Sequence, residues 1–88
     1  MGHFIGGSAF GMARDVSEGL ILLNDTMLRK FQLPELQQLH FELEKMIKDA
    51  RGEQVAQEDA QAIQKKSRRI SRIQSAMHII KTRMSTRF

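Results

Sequence analysis

The sequence of residues 54–84, QVAQEDAQAIQKKSRRISRIQSAMHIIKTRM, decides the fold of this chain. One set of its residues recurs at alternating three- and four-residue steps, the spacing of a helix face that packs along another helix. The positions of this face are Ala56, Asp59, Ile63, Lys66, Ile70, Ile73, Met77, Ile80 and Met84. The pattern predicts a helix over about residues 54–86, with Asp59 as an alternative cap that would lengthen the preceding loop.

A second helical pattern covers residues 34–51. Pro34 suits the first turn of a helix, where its missing N–H costs nothing, and Gly52 supplies a C-terminal stop. Its apolar residues form one stripe, which we expect to pack against the long helix. The predicted core pairs Leu36, Leu39, Leu43, Met46 and Ile47 with Ile63, Ile70, Ile73, Met77 and Ile80.

A third helix is predicted over residues 15–32. Asp15 and Glu18 have the spacing of a capping box, and a helical apolar face follows them. Gly19 weakens such a helix by about 1 kcal/mol relative to alanine. The apolar residues 20–23 would also suit a short strand, but the sequence offers no second strand to pair with it. Helix is therefore the prediction, ending where Pro34 forces the preceding residue out of the α region.

Together these patterns predict an all-α fold, an antiparallel helical hairpin in which the two shorter helices lie along the long one. The turn at Gly52 would place Lys66 near Glu42. Because 88 residues are close to the lower limit for a single core, a hairpin of this size is expected to pair with a second copy as a dimeric four-helix bundle. A monomer whose first helix folds back as a third bundle member is the alternative. The predicted oligomer interface comprises Ile21, Leu28, Phe41, Ile73, Met77, Ile80 and Met84.

Residues 1–13 are rich in glycine and predict a flexible arm, which leaves residues 14–88 as a single helical domain. The longest apolar run, residues 20–23, is far short of the roughly twenty residues that a membrane-spanning helix needs. The chain has no cysteine, which excludes disulfides and thiolate metal sites. We expect a cytoplasmic protein without a membrane span.

Charge is distributed unevenly along the chain. Residues 1–59 hold all ten acidic residues and six basic ones, whereas residues 60–88 hold eight basic residues and no acidic one. A basic flank on the long helix has a spacing that would follow a phosphate backbone. The predicted nucleic-acid or anion-binding residues are Lys65, Arg68, Arg69, Arg72 and Arg83. The alternative interpretation is that these residues form a solvent-exposed surface and pair with acidic residues of the neighbouring helices.

No catalytic signature is present: the chain lacks a phosphate-binding glycine loop, a nucleophile elbow, a cysteine–histidine pair and paired carboxylates. His3, His40 and His78 do not have the spacing of a metal site, and no cofactor is predicted. The sequence therefore favours a small self-associating interaction or assembly module without enzymatic activity. A helical dimer that binds nucleic-acid phosphates without sequence preference is the alternative. A helical-bundle enzyme acting on an anionic small molecule is the third and weakest hypothesis.

Overall fold

Four helices make up the regular structure in the computed structural model of the protein, which describes residues 7–87 and the side chains of residues 7–85. Their bounds are α1 Ala9–Ser17, α2 Asp25–Leu28, α3 Leu33–Gly52 and α4 Ala60–Arg87. Residues 7–87 contain no strand, and the predicted all-α class is confirmed. None of the described helices is both long and apolar enough to cross a bilayer.

The predicted helix over residues 34–51 is confirmed to within one residue at each end by α3, Leu33–Gly52. Its start is fixed locally, because a carboxylate oxygen of Glu35 accepts a hydrogen bond from the Gln32 backbone N–H at 2.8 Å. This bond satisfies one of the N–H groups that a helix start leaves without a partner, and Pro34 in the first turn has no N–H to satisfy.

The predicted helix over residues 15–32 is wrong. α1 begins six residues earlier, at Ala9, where Ser8 Oγ accepts a hydrogen bond from the Gly11 N–H at 3.0 Å. Residues 9–13, which were assigned to the flexible arm, therefore belong to α1. The part of that arm at residues 1–6 lies outside the described residues.

Gly19 ends α1 where the prediction had a continuing helix. It has φ +82°, a backbone conformation that favours glycine because it carries no Cβ. The Gly19 N–H donates to the Val16 carbonyl at 3.1 Å and the Leu20 N–H to the Asp15 carbonyl at 2.9 Å. This pair of bonds is the Schellman arrangement, which satisfies carbonyls that a helix end leaves free.

Residues 18–24 form the connecting segment between α1 and α2. The segment is not helical at residues 21–24, and Asn24 then caps the short α2 through a hydrogen bond from the Met27 N–H to Oδ1 at 2.9 Å. The alternative considered for residues 20–23, a strand, does not occur either.

The long helix begins at Ala60 rather than at residue 54. Asp59 Oδ1 accepts a hydrogen bond from the Ala62 N–H at 3.0 Å, so the alternative start with Asp59 as cap is the one that occurs. α4 has 28 residues and is about 42 Å long. It therefore runs nearly the whole 45 Å of the molecule's longest dimension.

One core joins all four helices. α3 packs on α4, α1 packs on both of them, and α2 packs on α4. The fully or almost fully buried side chains include Met12 and Val16 from α1, Leu28 from α2, and Phe31 just before α3. The other buried core residues are Ala13, Leu23, Leu36, Leu39, Leu43, Met46, Ile47, Ile73, Ala76 and Ile80. α1 thus packs as a third helix beside α3 and α4.

The predicted face of α4 is not buried along the first turns of the helix. Ile73 and Ile80 are 0% exposed, whereas Ile63 is 42% exposed and does not join the core as expected. Nor does Lys66 lie against Glu42: its ammonium donates instead to the Glu53 carbonyl at 2.6 Å. The first turns of α4 therefore extend past the core, leaving most of their side chains in solvent.

Candidate interaction surface

The connecting segment, residues 18–24, carries the two most exposed large apolar side chains among those described. Leu22 is 86% exposed and Leu20 is 73% exposed, while Leu23 between them and α2 is buried at 3%. Single exposed leucines are common on proteins, but two of them on one short segment form a patch. The patch exists because Gly19 ends α1 and turns the chain before this apolar run begins.

A groove of about 360 Å³ lies between this segment and α4. Its apolar floor and wall include Val16 and Leu23, both buried, and Ile79, which is half-buried. Small side chains of α4, Ser75 and Ala76, keep the recess open. The full lining is Val16, Gly19, Ile21, Leu22, Leu23, Ser71, Arg72, Ser75, Ala76 and Ile79.

Arg72 of α4 holds the α1 end of the segment. Its Nη1 donates a hydrogen bond to the Ser17 carbonyl oxygen at 3.3 Å. A cation at this position complements the partial negative charge of a helix C-terminus. The guanidinium also covers Gly19, since a Cβ built on that glycine would lie 3.0 Å from Arg72 Cζ.

Arg83 of α4 holds the other end. Its Nη1 donates to both carboxylate oxygens of Asp25, at 3.0 and 3.3 Å, and Asp25 also accepts from Arg29 Nε at 3.4 Å. A second recess of about 370 Å³ near this pair shares Leu23 and Ile79 with the first. The two recesses therefore adjoin each other along α4, one lined by Arg72 and the other by Arg83.

The five predicted phosphate-binding residues are separated by the structure into two groups. Lys65, Arg68 and Arg72 are exposed, and at 100° per residue they lie within a sector of about 60° on α4. Within residues 7–85, none of the three takes part in an ion pair. Arg69 and Arg83 are half-buried, each with a buried Nε that finds no hydrogen-bond partner in the described chain. Arg69 and Arg83 are therefore less accessible to a phosphate than the other three residues.

The predicted interface residues also divide. Leu28, Ile73 and Ile80 are 0% exposed within the single chain, so they are not on its surface and cannot meet a second copy unless the fold opens. Ile21, Met77 and Met84 are half-buried beside the core. Phe41 is 55% exposed on the outer side of α3, where the Lys45 ammonium lies 5.0 Å from its ring centroid.

Leu20 and Leu22 were missed by the sequence analysis because both were placed within a continuous helix. The available signal was the glycine directly before an apolar run, which is the order of a helix C-terminus followed by an extended segment. The same error hid the contacts of Arg72 with Ser17 and of Arg83 with Asp25.

His40 Nδ1 lies 2.9 Å from Glu44 Oε1, one helical turn away. This pair alone does not make a metal site. Among the residues that the structure describes, no three histidine, aspartate or glutamate side chains come together in a way that would hold a metal ion.

Comparison of the chain with protein-family models, with curated proteins and with solved structures finds no match in any of the three. A function for the chain must therefore be inferred from its residues and their geometry.

Proposed function

We propose that the protein is a small self-associating helical interaction module without catalytic activity, and that the patch of Leu20 and Leu22 is its contact surface. The observation that carries the proposal is the exposure of these two leucines, 73% and 86%, on one short segment, where Leu22 also lines an apolar groove. Within each chain, α3 and α4 form an antiparallel pair, and the dimer joins two such chains through their connecting segments.

The patch suits a second copy because it is self-complementary. In a twofold dimer the same surface of each subunit meets itself, so it must contain both the projecting and the receiving feature. Here Leu22, which projects into solvent, and the recess formed by Ser75, Ala76 and Ile79 belong to one groove. A leucine of each subunit can then enter the groove of the other.

The size of the patch sets the strength of association. Burying one leucine side chain is worth about 1.5–3 kcal/mol, so the four leucines of a dimer contribute about 6–12 kcal/mol. Association costs about 4–15 kcal/mol in lost freedom of motion. At the favourable end of these ranges the surplus is about 8 kcal/mol, and we expect a dissociation constant in the micromolar range.

Sedimentation equilibrium over a range of protein concentrations tests the proposal. The wild-type chain should move from monomer to dimer as concentration rises, and the double variant Leu20→Ser, Leu22→Ser should remain monomeric. Phe41→Ser is the matched control, because it removes an exposed apolar side chain from α3 and should leave the equilibrium unchanged.

Thermal unfolding followed by circular dichroism shows whether the double variant keeps its fold. Since both leucines are mostly in solvent, we expect its Tm to stay close to that of the wild type. A wild-type chain that is still monomeric at high micromolar concentration would overturn the proposal. So would a dimer that persists in the double variant.

A further inference from the structure

We propose that Lys65, Arg68 and Arg72 form a binding surface for the phosphate backbone of double-stranded nucleic acid, read without sequence preference. We call these three residues the basic row. Their surface is distinct from the leucine patch and would serve a different partner, although Arg72 lies at the border of both.

The row is straight and regularly spaced. At 1.5 Å of rise per residue, Lys65 and Arg68 are about 4.5 Å apart along the helix axis, and Arg68 and Arg72 about 6 Å apart. Because all three lie within one narrow sector of α4, their charges project on the same side. A linear array of this kind suits a linear polyanion, whose charges also repeat along a line.

The charges of the row are available to a ligand. All three side chains are exposed, and within residues 7–85 none of them forms an ion pair. Arg72 gives one N–H of its guanidinium to the Ser17 carbonyl, and a guanidinium has five. Most side chains in the turns of α4 that carry Lys65 and Arg68 are exposed, so a long partner can approach them.

The composition of α4 favours contact with the backbone over contact with bases. Proteins that bind single strands stack the bases on aromatic side chains, and α4 has no Phe, Tyr or Trp in the sequence Ala60–Arg87. A surface that has positive residues but no aromatic ones contacts the phosphates, which are the same in every nucleic-acid sequence. A duplex is therefore the expected partner, because its bases are already paired and stacked.

Salt dependence gives the sharpest test. We would titrate the intact chain into a fluorescently labelled duplex of mixed sequence, about 20 base pairs long, and follow anisotropy at several salt concentrations between about 50 and 200 mM. Three phosphate contacts predict a slope of about −2.7 for the logarithm of the binding constant against that of salt concentration. The variant Lys65→Gln, Arg68→Gln should reduce the slope to about −0.9 and weaken binding about 100-fold at the lowest salt.

The matched control is Lys30→Gln, Lys48→Gln, which removes the same number of positive charges from exposed positions outside the row. It should keep the wild-type slope. Equal losses in the two double variants would show that only net charge matters and would overturn the assignment, as would a wild-type chain that ignores the duplex.

Two further arms separate this proposal from other partners. Binding to vesicles that contain anionic lipid, with none to the duplex, would assign the row to a membrane surface and overturn the proposal. The variant Leu20→Ser, Leu22→Ser should bind the duplex with an unchanged slope per chain. If the chain does not self-associate, the duplex titration therefore still tests the basic row independently.

Discussion

Arg72 reaches from the middle of α4 to the last turn of α1, where its Nη1 lies 3.3 Å from the carbonyl oxygen of Ser17. Fifty-five residues separate the two in sequence. Ser17 itself is fully buried, and its hydroxyl donates to the Arg14 carbonyl at 2.8 Å. The backbone N–H groups of Gly19, Leu20 and Ile21 donate to the Val16 and Asp15 carbonyls, which leaves the Ser17 carbonyl oxygen to the guanidinium. This contact fastens the end of α1 to the long helix.

Replacing Arg72 with glutamine should destabilise the protein. The change removes a cation from a helix C-terminus and weakens a charged hydrogen bond, and we expect a loss of about 0.5–1.5 kcal/mol in the free energy of unfolding. In a domain of this size about 1 kcal/mol corresponds to a fall in Tm of about 4–8 °C, measurable by circular dichroism. Arg68→Gln is the control, because Arg68 is exposed and should change stability by less than about 0.5 kcal/mol. Equal Tm values for the two variants would contradict a structural role for Arg72.

Alanine at Gly19 should be costly, and alanine at Gly52 should not. At φ +82° a Cβ costs about 1–2 kcal/mol, and here it would also press on the Arg72 side chain. Gly52 has nothing within 4 Å of the place for a Cβ and is the last residue of α3, so alanine should be neutral or stabilise by up to about 1 kcal/mol. Urea denaturation of the two variants measures both changes. A continuous helix through Gly19 would instead give stabilisation at both sites.

The same substitution at two positions of the α4 face distinguishes the observed packing from the one expected from periodicity. Ile73→Ala removes methyl groups from a fully buried site and should cost about 2–5 kcal/mol. Ile63→Ala acts at a site that is 42% exposed and should stay within about 0.5 kcal/mol of the wild type. Comparable losses of unfolding free energy would mean that the first turns of α4 are covered by another chain.

The sequence was informative where helix boundaries depend on neighbouring residues. The start of α3 was predicted to within one residue because Pro34 restricts the backbone beside it. Gly52 was expected to stop the helix, but it is the last residue of α3 and has no positive φ. The burial of Ile73 and Ile80 followed from their spacing, and both lie in the core shared by the four helices. The exposed position of Lys65, Arg68 and Arg72 on one flank followed from the same helical period.

The errors have a common physical cause. Periodicity shows which residues share a face, but not how far along a helix its neighbours reach, so Ile63 was placed in a core that stops before it. Gly19 was taken for a helical residue of low propensity. Its positive φ could not be predicted, because it depends on the hydrogen bonds that close the end of α1. The contact of Arg83 with Asp25 spans 58 residues and has no local pattern.

The connecting segment is fastened at both ends, by Arg72 at α1 and by Arg83 at α2. A loop that is free in solution loses conformational entropy when a partner orders it, and this loss weakens binding. A segment that is already held in place has less to lose. Leu20 and Leu22 are thus preorganised, and much of the entropic cost of presenting them is met when the chain folds.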